Sequence, residues 1–205
     1  MGMECHIQLE ERVPDVDALH RSSGNVLLSR ILGATLHSYP VGGDEAGADA
    51  KLHEISEQLR RQGRNPYIIP LGQGHDPLGA LGYIDAAVEL MTQLDERSLQ
   101  IDHLVVTSGS GATHAGLLFG LRALGSQIEV TGVCPRRDAQ SQQRRIEGHL
   151  EKLTAMLDFD PGIESKEIRL TDVSLAPGYG QLNDATIHAL QLTAQCEGLF
   201  LDPVY

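Results

Sequence analysis

Val105-Val-Thr-Ser-Gly-Ser-Gly-Ala-Thr-His-Ala-Gly116 is the stretch that decides the fold. A short apolar run ends in a loop of Gly, Ser and Thr, and a helical pattern begins at once. Small residues let the backbone turn several N–H groups toward one point, and the start of a helix adds partial positive charge there. In parallel α/β sheets, ligands gather at the carboxyl ends of the strands, which is where this loop falls. The chemistry implied is capture of a phosphate group by Ser108, Gly109, Ser110, Gly111, Ala112 and Thr113. The alternative is a tight strand-to-helix turn with Thr113 as the helix cap. Other phosphate and nucleophile motifs do not fit. His114 stands where a dinucleotide fingerprint needs its third glycine, the Gly-Lys-Ser/Thr of a Walker A loop is absent, and so is a Gly-x-Ser-x-Gly elbow.

Outward from this stretch, short apolar runs alternate with longer helical patterns. Strands are expected at Cys5–Leu9, 34–39, Tyr67–Ile69, His103–Thr107, 128–133, Ile168–Leu170 and Leu199–Leu201. Helices are expected at 25–32 (with Ser23 as N-cap and Gly33 past its end), 49–62, 78–93, 113–124, within 140–157, and at 183–196. This alternation implies crossover connections and an α/β fold of mainly parallel sheets covered by helices on both faces. Glycine and proline cluster at Pro70-Leu-Gly-Gln-Gly-His-Asp-Pro77, a boundary that separates residues 1–70 from 71–205. The first strand starts almost at once and the last segment stops at Asp202-Pro-Val-Tyr205, so the chain reads as an internal slice of a longer protein.

The 205 residues are 41% apolar and 21% charged, ordinary values for a globular protein. A net charge of −12 argues against nucleic acid as a partner. The basic cluster Arg136-Arg137 with Arg144-Arg145 reads as a solvated helix face. No apolar run nears the roughly 20 residues of a membrane helix, and no basic leader precedes one, so a cytoplasmic location is expected. Cys5, Cys134 and Cys196 form no CxxC pair; they read as reduced, mostly buried thiols, with no metal site expected.

Two further segments resemble binding loops. Ala176-Pro-Gly-Tyr-Gly180 either holds the Tyr179 ring against something flat or is simply a turn. Glu197-Gly-Leu-Phe-Leu-Asp-Pro-Val-Tyr205 runs into a proline-led loop that presents Tyr205, or is structural. His114 either lines a pocket or lies on a helix surface. The remaining histidines, His149 among them, show no ligand spacing and read as incidental.

Taken in order, Tyr67-Ile-Ile-Pro, Pro77-Leu-Gly-Ala-Leu-Gly-Tyr83, Thr107-Ser-Gly-Ser-Gly-Ala-Thr-His-Ala-Gly116, Ala176-Pro-Gly-Tyr-Gly180 and Glu197–Tyr205 resemble one family. It is the family of D-cysteine desulfhydrase and 1-aminocyclopropane-1-carboxylate (ACC) deaminase, which includes L-cysteate sulfo-lyase. These are fold-type II, tryptophan-synthase-β-like enzymes that use pyridoxal 5'-phosphate (PLP). Ser23-Gly-Asn-Val-Leu-Leu with Ile31-Leu-Gly-Ala34 matches the family's smaller domain. The resemblance implies a homodimer of two-domain subunits with PLP between the domains. Residues 1–70 would be the remainder of the small domain and 71–205 part of the large PLP-binding domain. It further implies that residues 108–113 cradle the PLP phosphate, and that Tyr179 and Tyr205 stand beside the cofactor ring and a small amino-acid substrate. One of these tyrosines can act in proton transfer.

The departures are equally specific. The family carries its Schiff-base lysine in a Gly-Asn-Lys segment, followed by a Ser-Asn loop for the substrate carboxylate. Neither occurs in these 205 residues, and Lys51, Lys152 and Lys166 match nothing catalytic. The expectation is a PLP-dependent lyase or deaminase, leaning to D-cysteine desulfhydrase, present as a fragment truncated at both ends. Alone it would have negligible activity. The alternatives are an inactive remnant that binds a phosphate ligand or a partner chain, and a member acting on ACC or L-cysteate.

Overall fold

The computed structural model describes residues 2–14, 16 and 18–205. The chain divides into two compact units, 1–72 and 73–205.

In the first unit, β1 (His6–Glu10) and β2 (Thr35–Tyr39) pair in parallel, with α1 (Gly24–Ile31) between them and α2 (Glu45–Arg61) after them. The strand pair is fastened by side chains as well as by the ladder. His6 Nδ1 and His37 Nε2 lie 3.0 Å apart, and Gln8 donates to the Ala48 carbonyl at 2.9 Å. Asp44 caps α2 by accepting from the Gly47 amide at 3.0 Å, and the Tyr39 hydroxyl donates to its other oxygen. Both bonds favour the ionised carboxyl, and the Tyr39 bond, the larger cause, holds Asp44 below the usual carboxylate range. Ser23 occupies the N-cap position of α1 but does not cap it. Its hydroxyl donates to the Leu19 carbonyl at 2.6 Å, the competing local bond open to any serine after a turn. Helix α2 begins at Glu45, one turn before the expected start, because Asp44 supplies the cap.

The second unit contains α3 (Leu78–Glu96), β3 (His103–Thr107), α4 (Ala112–Ala123), β4 (Glu129–Val133), α5 (Ala139–Leu157), β5 (Arg169–Thr171) and α6 (Asp184–Glu197). The three strands are parallel in the order β3-β4-β5. Stepping one way across the sheet with right-handed crossovers puts α4 and α5 side by side on one face. That face carries Leu104, Val106 and fully buried Val130. On the other side of β3, Val105 is 63% exposed, so the described residues cover one face of this strand, not both. The core forms where α4, almost wholly buried from His114 to Leu121, meets α3, α5 and the sheet around Phe119, Leu118, Ile146 and Leu153.

Glycines permit this close packing. A Cβ on Gly116 would come within 2.4 Å of the Ala80 carbonyl oxygen on α3, and one on Gly132 within 2.5 Å of the His114 ring. Two expected strands do not form. Residues 67–69 and 199–201 belong to no strand, with Tyr67 77% and Phe200 92% exposed. A strand needs a neighbour to complete its ladder, and among the described residues none lies alongside either segment. Of the cysteines only Cys134 is buried; Cys5 and Cys196 are exposed. Among the described residues no helix is long and apolar enough to cross a membrane.

Replacing Gly116 with alanine drives a methyl into backbone that cannot move independently. We expect Gly116→Ala to destabilise the second unit by about 1–3 kcal/mol, read as a lower denaturant midpoint in chemical unfolding.

Candidate functional site

The β3–α4 loop sits at the carboxyl edge of the sheet. The Ser108 amide donates to the Val133 carbonyl at 2.8 Å and so extends the β3–β4 ladder by one bond. Gly111 then turns the chain with φ +90°, a conformation that favours glycine, and serves as N-cap of α4 without a side chain to fill the cap. Thr113 lies inside the helix, so the cap that the alternative reading gives it does not form. Among the described residues the amides of Gly109, Ser110, Gly111, Ala112, Thr113 and His114 have no acceptor. The neighbouring helix is the opposite case. At the start of α5 the Ser141 amide donates to Asp138 and the Ala139 amide to Asp172, both at 2.8 Å. Open donors at a helix start attract anions.

The loop's carbonyls are not open. Arg137 Nη1 donates to Gly109 O at 2.9 Å, and Gln142 Nε2 reaches the same oxygen at 3.3 Å. Arg145 Nε donates to Ser110 O at 2.6 Å, with His149 Nε2 at 3.0 Å. A trans peptide points its C=O and N–H in opposite directions. Fixing these two carbonyls toward α5 therefore turns the Ser110 and Gly111 amides away from it.

Arg145 and His149, read from sequence as a solvated face and an incidental residue, are both buried; Arg144 is the exposed member of its pair. Their spacing with Gln142 along one helix face was the available signal, since 142, 145 and 149 align at helical period. Charge density along the chain pointed the other way.

Ser108 differs from its companions in the loop. Its side chain is 1% exposed and turned into the core, where Gln142 Nε2 donates to its hydroxyl at 3.0 Å and His114 Nδ1 lies 3.3 Å away. His114, 0% exposed, is a core residue and not a surface one. Its Nε2 makes no well-formed hydrogen bond, and burial, outweighing the opposing pull of the Val130 backbone, pushes its pKa down to about 4, so the ring is neutral.

Tyr205 comes to this loop, and Tyr179 comes to Tyr205. Asp202 Oδ1 accepts from the Val204 and Tyr205 amides, each at 2.8 Å, and the resulting turn presents Tyr205. Its ring lies against Gly109, where an added Cβ would be 2.5 Å from the hydroxyl oxygen. Asn183 closes the other segment by donating to Ala176 O at 2.7 Å while it caps α6. The Tyr179 and Tyr205 rings stand edge to face with centroids 6.4 Å apart. The sequence reading gives neither Asp202 nor Asn183 a role in placing the tyrosines, although an Asp before proline and an Asn before a helix are recognisable turn and cap signals.

Each of the three lysines has its own local partners. Lys152 donates to the carbonyls of Gln73 and His75, Lys51 pairs with Glu54, and Lys166 pairs with Glu164. Among the described residues there is no group of three or more His, Cys, Asp or Glu that could hold a metal ion.

The model for pyridoxal-phosphate dependent enzymes matches residues 1–205. The chain belongs to that family. It is 36% identical over 205 residues to a D-cysteine desulfhydrase of Klebsiella pneumoniae and 34% identical to one of Salmonella paratyphi A. All of this chain is aligned in both cases, and it spans 60% of the length of these relatives. The crystal structure of an ACC deaminase homologue superposes with a TM-score of 0.80 at 28% identity, over the whole of this chain and 58% of that one. The open amides and the left-handed Gly111 suit the phosphate of the family's cofactor: a dianion takes several N–H donors at a helix start.

His114 gives the site a pH signature. Its folded pKa lies below the unfolded value near 6.5, so its contribution to stability is complete above pH 6.5. That contribution is lost as pH falls from 6.5 toward 4. The ceiling is on the order of 3 kcal/mol. In urea unfolding from pH 4 to 7, His114→Gln is expected to flatten the slope of stability against pH relative to the unsubstituted protein.

Proposed function

We propose that the protein is a PLP-dependent lyase acting on a small amino acid, with the D-cysteine desulfhydrase reaction as the specific reading. One observation carries it: six amides without an acceptor and two tyrosine rings meet at a single loop. The identity to two D-cysteine desulfhydrases supports the substrate class. The reaction is D-cysteine plus water giving pyruvate, ammonia and hydrogen sulfide. We take residues 1–70 as belonging to the small domain and 71–205 to the large PLP-binding domain, and the assembly as a cytoplasmic homodimer, as is usual in the family.

In this reading the amides of residues 109–113 bind the phosphate. Ser108 contributes through its place in the backbone, because its hydroxyl is committed to Gln142. When bound, PLP supplies an electron sink for a carbanion at the substrate. Tyr205, held by Asp202 beside the loop, and Tyr179 next to it offer phenolic O–H groups to hold or move a proton at the substrate. In this reading none of Lys51, Lys152 and Lys166 is the covalent lysine: Lys152 is bonded to the Gln73 and His75 carbonyls, and Lys51 and Lys166 pair with Glu54 and Glu164. That placement favours a second reading for these 205 residues taken alone, a phosphate-binding unit without turnover.

The full-length protein is expected to release pyruvate from D-cysteine, and these 205 residues alone to release none. Tyr205→Phe in the full-length protein should lower kcat by roughly 10²-fold or more while PLP binding persists. Pyruvate release by the 205 residues alone would overturn the assignment of the lysine. Unchanged kcat in both Tyr205→Phe and Tyr179→Phe would remove the tyrosines from the chemistry.

A further inference from the structure

The buried face of α5 carries Ile146 and Leu153, as a core-facing helix should, but it also carries Gln142, Arg145 and His149. Placing a guanidinium and an imidazole there is costly unless their donors find acceptors. The acceptors they find include the Gly109 and Ser110 carbonyls, where Arg137 joins them from the adjoining β4–α5 loop.

The loop has a specific need for such anchors. Ser110 lies between two glycines, and glycine opposes rotation of a neighbouring peptide unit less than any other residue. A rotated unit would aim a carbonyl oxygen, not an amide, at a bound phosphate. We infer that Arg137 and Arg145, with Gln142 and His149 beside them, are positioning residues that hold the Gly109 and Ser110 carbonyls against α5 and so keep the Ser110 and Gly111 amides facing the phosphate site. This role rests on the proposed function and adds to it four side chains that touch neither cofactor nor substrate.

The test compares PLP with pyridoxal, which has the same ring and no phosphate, by equilibrium dialysis against the full-length protein. Phosphorus-31 NMR of bound PLP serves as a second readout. The unsubstituted protein should prefer PLP. Arg145→Met and Arg137→Met should each weaken PLP binding about tenfold, shift the phosphorus signal and leave pyridoxal affinity unchanged. Arg145→Lys, which keeps the charge and one kind of donor, should recover part of the loss. General destabilisation would lower both affinities together and leave their ratio intact. If Arg145→Met does not fold, Arg137→Met decides, because Arg137 is only partly buried. An unchanged ratio of PLP to pyridoxal affinity in a folded variant overturns the positioning role alone. An unsubstituted protein with no preference for PLP overturns the phosphate site itself, and the positioning role with it.

Discussion

Two peptide units, Gly109–Ser110 and Ser110–Gly111, are pinned by their carbonyl oxygens to Arg137 and one face of α5, and the candidate site follows from that. A peptide held by its oxygen has no freedom left in its N–H. The loop thus behaves as a rigid donor array although it is built from glycine and serine. Flexible residues are needed to make the turn, with Gly111 at positive φ, and buried side chains are needed to remove the flexibility afterwards.

The same economy appears at the tyrosines. Neither Tyr179 nor Tyr205 belongs to a helix or strand, and each is placed by a short-range bond from an Asn or Asp side chain to nearby backbone. Local turns set the direction of each ring, and the absence of a side chain at Gly109 lets Tyr205 approach the loop. The parallel sheet brings the loop after β3 and the segment after β5 to one edge, while the Tyr205 segment follows α6 and reaches Gly109 without a strand of its own. Belonging to the pyridoxal-phosphate dependent family agrees with a site of this kind, in which the protein contributes binding and orientation.

Much of the fold was legible because hydrophobic period and end signals are local. The strand over 103–107 and helices within a residue or two of 24–31, 112–123 and 184–197 follow from alternation, glycine stops and capping residues. The segments at 67–69 and 199–201, expected as strands, show the limit of that reading. Their β-prone composition is real, but a strand is a pairwise object, and its partner is not specified by its own residues. The same limit applies to α5. Three polar residues on its inner face were legible as a helical row, but not as a row with loop carbonyls opposite it.

The sequence by itself determined the alternation of elements, the glycine-rich turn at 108–111 and the family pattern, since each depends on neighbours along the chain. Only the tertiary structure decided that Ser108 turns inward to Gln142 while the rest of the loop keeps its amides open, and that Arg145 and His149 are buried anchors. It also decided that two tyrosines 26 positions apart share one corner. Such facts depend on which faces meet across distances that no local window contains, and on the requirement that every buried donor find an acceptor once they do.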